Sequence, residues 1–227
     1  MLYILLLLFL LALLLGPNLW AQRVITHYSQ ERTDIPGTGA ELAQHLINKL
    51  ELTGVEVEQI EDGDHYDPVA KVVRLSTGVY NGRSLAAVAI ASHEVGHAIQ
   101  DANDYSLLHT RTRLVKFAVI AEKIGSGAFL LAPLAGLLLR TPAPPMLMLI
   151  IAVLSMSVLS LVHLVTLPVE IDASFNKALP ILAQGQYVKQ EDLGAIRKIL
   201  NAAALTYLAS SMASLFNLWR WLRLIRR

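Results

Sequence analysis

Near the middle of the 227-residue chain lies the stretch Ser84-Leu85-Ala86-Ala87-Val88-Ala89-Ile90-Ala91-Ser92-His93-Glu94-Val95-Gly96-His97-Ala98-Ile99-Gln100, which predicts one buried helix. Small apolar residues fill its first half, and Ser84 is placed to cap its first turn. His93 and His97 are four residues apart, so their imidazoles project from one face of the helix. Two imidazoles at this spacing supply two ligands of a tetrahedral zinc site.

Glu94 follows the first of these histidines and is rotated by about 100° from it around the helix. Its carboxylate can therefore reach a zinc-activated water without being a ligand, which is the arrangement that the H-E-x-x-H pattern of metallopeptidases requires. The sequence predicts Glu94 as the general base. The competing interpretation is a pair of core histidines satisfied by hydrogen bonds.

A catalytic zinc site needs a third protein ligand and one open position. A third histidine at the usual downstream position is excluded, because Asn103 occupies it. Glu170 is the strongest choice, since a polar helix is expected to open near it, with Thr166 as cap and Pro168 in its first turn. The alternatives that remain open are Asp172, Glu122, His109 and His163.

The composition indicates contact with lipid, because 54% of the residues are hydrophobic and only 16% are charged, whereas soluble domains have about 25% charged residues. The first apolar segment lacks a basic start, so an uncleaved anchor is predicted over a cleaved signal peptide. The expected fold is a mainly α membrane protein with about four transmembrane helices that carry a small α+β catalytic domain. The segments long enough to span are residues 2–20, 117–139, 146–167 and 202–219.

These segments divide the chain into five parts. A tight turn joins segments two and three into a hairpin, so the polar stretches before and after it are expected on the same side of the membrane. The expected parts are a transmembrane anchor (1–20), a zincin-like domain with the His93–His97 helix (21–116), a transmembrane hairpin (117–167), a polar helical segment with the third zinc ligand (168–201), and a transmembrane helix with a basic tail (202–227).

A second helix and two strands are expected in the first polar stretch. Thr38 and Glu41 form a capping-box pattern, which predicts a helix to about Leu52. Residues 55–58 and 71–75 have strand character and predict a hairpin or small sheet, with 71–75 as the edge to which a substrate would add. The acidic turn between them lacks the ligand spacing of a calcium loop and is interpreted as a solvated turn.

Charge and cysteine content restrict the function classes. The net charge is +1, and no basic stripe indicates nucleic-acid binding. The absence of cysteine excludes disulfides, Cys-ligated zinc and a thiol nucleophile. The expected partners are peptide or protein substrates, membrane proteins among them, and the lipid bilayer. A multi-pass protein of the cell membrane is expected, and Arg111, Arg113 and Lys116 favour a site on the cytoplasmic side, although the arginine-rich tail opposes it.

Several motifs together resemble the YugP-type membrane zinc metallopeptidase family, which is distantly similar to the HtpX/Ste24 peptidases. The combination is more specific than the H-E-x-x-H pattern alone. The resembling motifs are Thr38-Gly39-Ala40-Glu41, His65-Tyr66-Asp67-Pro68, Val73-Arg74-Leu75-Ser76, residues 84–100, Leu167-Pro168-Val169-Glu170-Ile171-Asp172-Ala173-Ser174 and Ala202-Ala203-Ala204-Leu205-Thr206-Tyr207.

The resemblance implies that the small α+β catalytic domain is zincin-like (gluzincin). It also implies a membrane-embedded endopeptidase with one zinc ion per chain, held by His93, His97 and Glu170. Ser174 stands where the HtpX/Ste24 peptidases have an aspartate that supports the ligands, and Asp172 is expected to substitute for it. The alternative is a proteolytically inactive zinc-binding membrane scaffold; a metal-passing transporter is the weaker third class, because the histidines lie outside the apolar segments. The oxyanion-stabilising group stays open among His65, Tyr66, His109 and Tyr207.

Overall fold

The computed structural model describes the backbone of residues 2–61 and 63–225, and leaves out the side chains of residues 2–11, 13, 14, 156, 159, 160 and 210–225. In this part of the chain the fold is mainly helical, with one small sheet. The elements are α1 (Leu2–Tyr28), α2 (Gly39–Lys49), β1 (Glu56–Ile60), β2 (His65–Asp67), β3 (Val72–Ser76), α3 (Thr77–Tyr80), α4 (Leu85–Ala102), α5 (Ser106–Leu139), α6 (Ala143–Ile171), a π-helix (Asp172–Ala178), α7 (Leu179–Gln184), a 3₁₀ turn (Gln190–Asp192) and α8 (Leu193–Ile225).

The starts of α2 and α4 are fixed by the capping residues that the sequence predicts. The Ser84 hydroxyl accepts a hydrogen bond from the Ala87 amide at 3.1 Å. At α2, Thr38 Oγ1 accepts from the Glu41 amide at 3.2 Å, and the Glu41 carboxylate accepts from the Thr38 amide at 2.8 Å. Both predictions are confirmed. Helix α2 ends at Lys49, slightly before the predicted Leu52.

The sheet has the strand order β1-β3-β2, so β3 lies in the centre. Strand β1 runs parallel to β3 with Glu56 opposite Val72, and β2 runs antiparallel to β3 with His65 opposite Arg74. The small sheet is confirmed, but the prediction that residues 71–75 form an edge is wrong. The residues between the two predicted strands supply a third strand, which covers the side of β3 that β1 leaves open.

Helix α4 is buried between two apolar clusters. One face packs on α2 and the sheet through Ala91 and Val95, and another packs toward α7 and α8 through Leu85 and Val88. Ala21 and Val24 of α1 join the second cluster. All four of the named α4 side chains are at most 4% exposed. This burial on two sides fixes the helix that carries the histidine pair.

The prediction of four transmembrane helices is wrong for the described residues. In this part of the chain no helix combines the length and the apolar character needed to cross a bilayer. In α5, Glu122 and Lys123 leave only residues 124–139 free of charge, fewer than the roughly 20 residues that a span requires. The basic tail at residues 220–227 and most of the leucine-rich start lie outside the described side chains.

The helix that carries Glu170 does not begin where the sequence predicts. Thr166 and Pro168 lie inside the last turns of α6, and Thr166 Oγ1 donates to the Val162 carbonyl at 2.8 Å instead of capping a new helix. Apolar residues continue up to this point and keep the helix intact. Glu170 is therefore near the end of α6, immediately before the π-helix.

Candidate metal centre

Three predicted ligands from two helices meet in a buried cluster. His93 and His97 come from α4 and Glu170 from the end of α6. Glu170 Oε2 lies 3.1 Å from His93 Nε2 and 3.4 Å from His97 Nε2. One ligand atom from each residue lies within 4.8 Å of the other two, and all three residues are buried. The structure thus brings together the residues that the sequence predicts for the metal.

The cluster lies where α4 and the π-helix approach each other closely. A Cβ atom added at Gly96 would lie only 2.7 Å from the carbonyl oxygen of Ala173. Glycine therefore allows the two backbones to touch at a position between His93 and His97. π-helical turns are rare and are frequently found at functional sites. Here the π-helix directly follows Glu170 and places Ser174 against α4.

The second nitrogen of each imidazole is held by a neighbouring side chain. Ser174 Oγ lies 3.0 Å from His93 Nδ1, and Gln100 Oε1 lies 2.9 Å from His97 Nδ1. Gln100 Nε2 in turn donates to Asp172 Oδ2 at 2.8 Å. Such contacts orient metal-ligating histidines and fix their tautomers. Asp172, the expected support, therefore contacts the histidines only through Gln100, whereas Ser174 contacts His93 directly.

The hydrogen bonds of Gln100 determine which nitrogen of His97 is free to bind a metal ion. The Gln100 amide nitrogen faces two acceptors, the Val169 carbonyl and Asp172, so its oxygen must face His97. His97 Nδ1 then carries the proton, and in the neutral imidazole the lone pair of Nε2 points at the Glu170 carboxylate. Two acceptors at 3.4 Å are stable only with a proton or a cation between them. With a second imidazole at the same oxygen, the two-histidine, one-glutamate donor set fits zinc.

The second carboxylate oxygen of Glu170, Oε1, has a different environment from Oε2. Oε1 is buried and has no hydrogen-bond partner among the described residues, while Arg111 Nη1 lies 3.3 Å away as an ion-pair contact. Burial alone would raise the pKa of Glu170, but the contacts with His93 and His97 hold the pKa well below its usual range. A cation at Oε2, whether a proton on an imidazole or a metal ion, favours the charged form of this carboxylate.

Glu94 lies beside the three-residue cluster without belonging to it. It is 6% exposed. Burial raises the pKa of its carboxyl to about 7, and the nearby charge of Glu170 adds to the rise while His93 opposes it. Asp64, which precedes β2, and Arg111 also act on this carboxyl.

The other predicted residues have distinct positions. Tyr66 Oη donates to Asp101 Oδ2 at 2.9 Å, and the His109 imidazole faces Asp101 and Asp104 at 4.0 and 3.7 Å. His65 is exposed. Burial raises the pKa of Tyr207, and the charges of Glu170 and Glu94 add to the rise. Of the four suggested oxyanion donors, Tyr207 is the one whose environment includes both glutamates.

The alternative third ligands lie away from the histidine pair. Glu122 is exposed on α5, and Asp172 is engaged by Gln100 and Asn176. His163 is half-buried on α6, and burial lowers its pKa. Among the described residues, the three-residue group at Glu170 is the one with metal-ligand spacing.

Two residues that contact the proposed ligands are not predicted from the sequence to take part in the site. Gln100 connects His97 to Asp172, and its spacing of three residues from His97 on one helix is the signal that could have revealed it. Arg111 contacts Glu170 from α5, and no local sequence pattern predicts this contact. It depends on the tight link at residues 103–105, where the Tyr105 amide donates to the Gln100 carbonyl at 2.9 Å.

Comparison with known proteins gives matches along nearly the whole chain. Residues 3–226 match the family model described as "Putative neutral zinc metallopeptidase". The chain is 37% identical over 213 residues to "Putative membrane protease YugP" of Bacillus subtilis (strain 168), with 91% of each chain covered. No solved structure matches it. The family named from the sequence motifs is therefore confirmed.

Proposed function

The chain belongs to this neutral zinc metallopeptidase family, and on that premise we propose that it is a zinc-dependent endopeptidase that cleaves peptide bonds by hydrolysis. One zinc ion per chain would be held by His93, His97 and Glu170. The observation that carries the proposal is the convergence of two imidazole nitrogens on one buried carboxylate oxygen, at 3.1 and 3.4 Å. Glu94, the neighbouring buried acid, is free of that cluster.

The proposed chemistry divides between the metal and Glu94. Zinc, when bound, polarises a carbonyl and acidifies water. Glu94 accepts the proton that water releases as its oxygen attacks the carbonyl carbon, and it returns that proton to the amine nitrogen as the carbon–nitrogen bond breaks. His93 and His97 are held in place by Ser174 and Gln100 throughout. Tyr207, which lies within electrostatic range of Glu94 and Glu170, is the proposed donor to the developing oxyanion.

The substrate backbone is proposed to pair with β2. Strand β2 is an edge of the sheet and packs against α4, whereas β3 is covered on both sides. Tyr66 on β2 is hydrogen-bonded to Asp101 on α4, which fixes the strand relative to the metal-site helix. An extended peptide can add to such an edge through main-chain hydrogen bonds.

Hydrolysis of casein by the purified full-length chain tests the proposal. We expect activity that ortho-phenanthroline removes and that added zinc restores. Glu94→Gln should abolish cleavage while zinc stays near one per chain, because Glu94 is not a ligand. His93→Ala should lose both. Cleavage by the Glu94→Gln variant at the rate of the unaltered chain would refute the assigned base.

The second candidate is a zinc-binding scaffold without proteolytic activity. The buried donor set supports zinc binding by itself, because it needs no substrate. Zinc at one per chain together with no cleavage of casein or of a mixed peptide library would favour this function. Zinc content and cleavage are therefore measured on the same preparation.

Association with membranes is proposed from the surface of α5 and α6. Large apolar side chains are exposed along both helices, and large exposed apolar patches mark sites of interaction with proteins or membranes. The relative from B. subtilis is named a membrane protease. Flotation with phosphatidylglycerol-containing vesicles tests the association, and protease accessibility tests the expected cytoplasmic position of the site. The side chains concerned include Phe117, Ile120, Ile124, Leu130, Leu137, Leu138, Leu147, Leu154 and Leu161.

A further inference from the structure

The two oxygens of Glu170 face different partners. Oε2 points at the imidazole nitrogens of His93 and His97. Oε1 points the other way, is fully buried, and has Arg111 Nη1 at 3.3 Å with no hydrogen bond from any described residue. The whole side chain of Glu170 is 1% exposed, whereas that of Arg111 is 29% exposed. A buried anionic oxygen with one cation beside it depends on that cation for its charge balance.

The number of oxygens that a glutamate gives to zinc matters for catalysis. A catalytic site has three protein ligands and keeps one position open. A carboxylate that turned both oxygens to the metal would take up part of that opening. A guanidinium can prevent this, because its rigid planar donors hold a carboxylate oxygen in a fixed direction.

We infer that Arg111 is a positioning residue that engages Oε1 of Glu170, so that the carboxylate presents Oε2 alone to a metal held by His93 and His97. The inference rests on the proposed metal site and assigns to α5 a part in it. Arg111 reaches Glu170 because residues 103–105 form a tight link between α4 and α5, which brings the second turn of α5 beside the histidine face of α4. It does not need to touch substrate.

A matched control lies two residues further along the same helix. Arg113 is exposed on α5. Arg113→Met therefore makes the same change in charge and side-chain length as Arg111→Met, but it leaves the contact between Arg111 and Glu170 in place. Arg111→Met removes the contact. Arg111→Lys keeps the charge but replaces the planar fork with a single amine.

Cobalt substitution and peptide cleavage measure the effect in two independent ways. In the full-length chain loaded with Co²⁺, Arg111→Met should weaken the visible absorption band, because a second carboxylate oxygen raises the coordination number. The zinc form of Arg111→Met should keep its zinc and lose roughly 10- to 100-fold in kcat, as is typical when a partner of a metal ligand is removed. Arg111→Lys should recover part of both signals, and Arg113→Met should match the unaltered chain.

The outcomes separate this inference from the proposed function. If the unaltered chain binds neither Zn²⁺ nor Co²⁺, the proposed metal site fails and the role of Arg111 fails with it. If the unaltered chain binds metal and Arg111→Met keeps the cobalt band and kcat of Arg113→Met, only the role of Arg111 is overturned. If Arg111→Met does not fold, Arg111→Lys and Arg111→Gln are compared instead. An unchanged cobalt band and kcat in both of these variants would also overturn the role of Arg111.

Discussion

Gly96 of α4 lies directly against the main-chain carbonyl of Ala173 in the π-helix, and a Cβ atom at position 96 would be 2.7 Å from that oxygen. The contact joins the helix of the two histidines to the segment that follows Glu170. Backbone atoms form both sides of it, so neither side can move away by a rotamer change. The separation of the metal ligands therefore depends on a residue without a side chain.

The first prediction concerns Gly96→Ala. The added methyl group must push α4 and the π-helix apart, and overpacking of this kind costs about 1–3 kcal/mol of unfolding free energy. The shift also moves Glu170 relative to His93, so zinc affinity should fall. Urea unfolding and a chelator-competed zinc titration measure the two effects.

Gly127→Ala is the matched control for this change. Gly127 lies within α5, and nothing lies within 4 Å of a Cβ atom added there. Replacement of a helical glycine by alanine without a clash should leave stability equal or raise it by up to about 1 kcal/mol. Equal effects at both positions would show that the contact with Ala173 is not tight.

The second prediction concerns the link from His97 to Asp172. Gln100→Leu keeps a similar volume but removes the acceptor for His97 Nδ1 and the donor to Asp172. Zinc affinity should fall about 10- to 100-fold. Competition with a chromogenic chelator measures it. Gln44→Leu on the exposed face of α2 is the control, and a drop of the same size there would contradict a specific role for Gln100.

The third prediction concerns the start of α2. Thr38→Ala removes the hydroxyl that accepts from the Glu41 amide and should lower the unfolding free energy by about 1 kcal/mol. Zinc stoichiometry should not change, because the capping box contains none of the proposed ligands. Chemical denaturation followed by circular dichroism gives the first quantity and atomic absorption the second. Loss of zinc in this variant would show that α2 and the metal site are coupled.

The fourth prediction is a dependence of stability on pH that arises at Asp67. Its pKa is lowered by hydrogen bonds from the Ala70 amide and from Arg74, with a further one from the Val69 amide. Because the folded-state pKa lies below the unfolded value of about 3.9, the stabilisation is present above that value. It is lost as the pH falls through the lower folded-state pKa.

Asp67→Asn should therefore flatten the decline of unfolding free energy below pH 4. Denaturation curves at a series of pH values between neutral and acid measure the slope. Glu31→Gln, at an exposed carboxylate, should leave the slope close to that of the unaltered chain. An identical slope in the unaltered chain and in both variants would mean that Asp67 does not cause this pH dependence of the unfolding free energy.

Features with local causes could be predicted from the sequence. Ser84 and Thr38 cap helices through contacts within four residues, and His93 and His97 share a face because of helical periodicity. Glu170 is favoured by the expected start of a polar helix and by the Leu-Pro-Val-Glu resemblance, and no periodicity relates it to α4. The structure places it at the histidines, although the helix around it starts elsewhere than predicted.

Features with non-local causes were missed. The parallel pairing of β1 with β3 and the central place of β3 depend on β2, a strand of three residues inside a turn-rich segment. The role of Arg111 depends on how α5 leaves α4. The membrane prediction relied on composition averaged along each segment, whereas no described helix meets the length and polarity requirement.

The π-helix after Glu170 has a consequence for changes in chain length. A π-helical turn holds more residues than an α-helical turn, so deletion of a single residue between Asp172 and Ala178 would let the segment close as an ordinary α-helix. The residues of this segment would then shift in register against α4, and the contact of Ser174 Oγ with His93 Nδ1 would change. Relatives that are one residue shorter here are expected to orient His93 through a different contact, whereas insertions at the surface turn of residues 185–189 leave the contact of Ser174 with His93 intact.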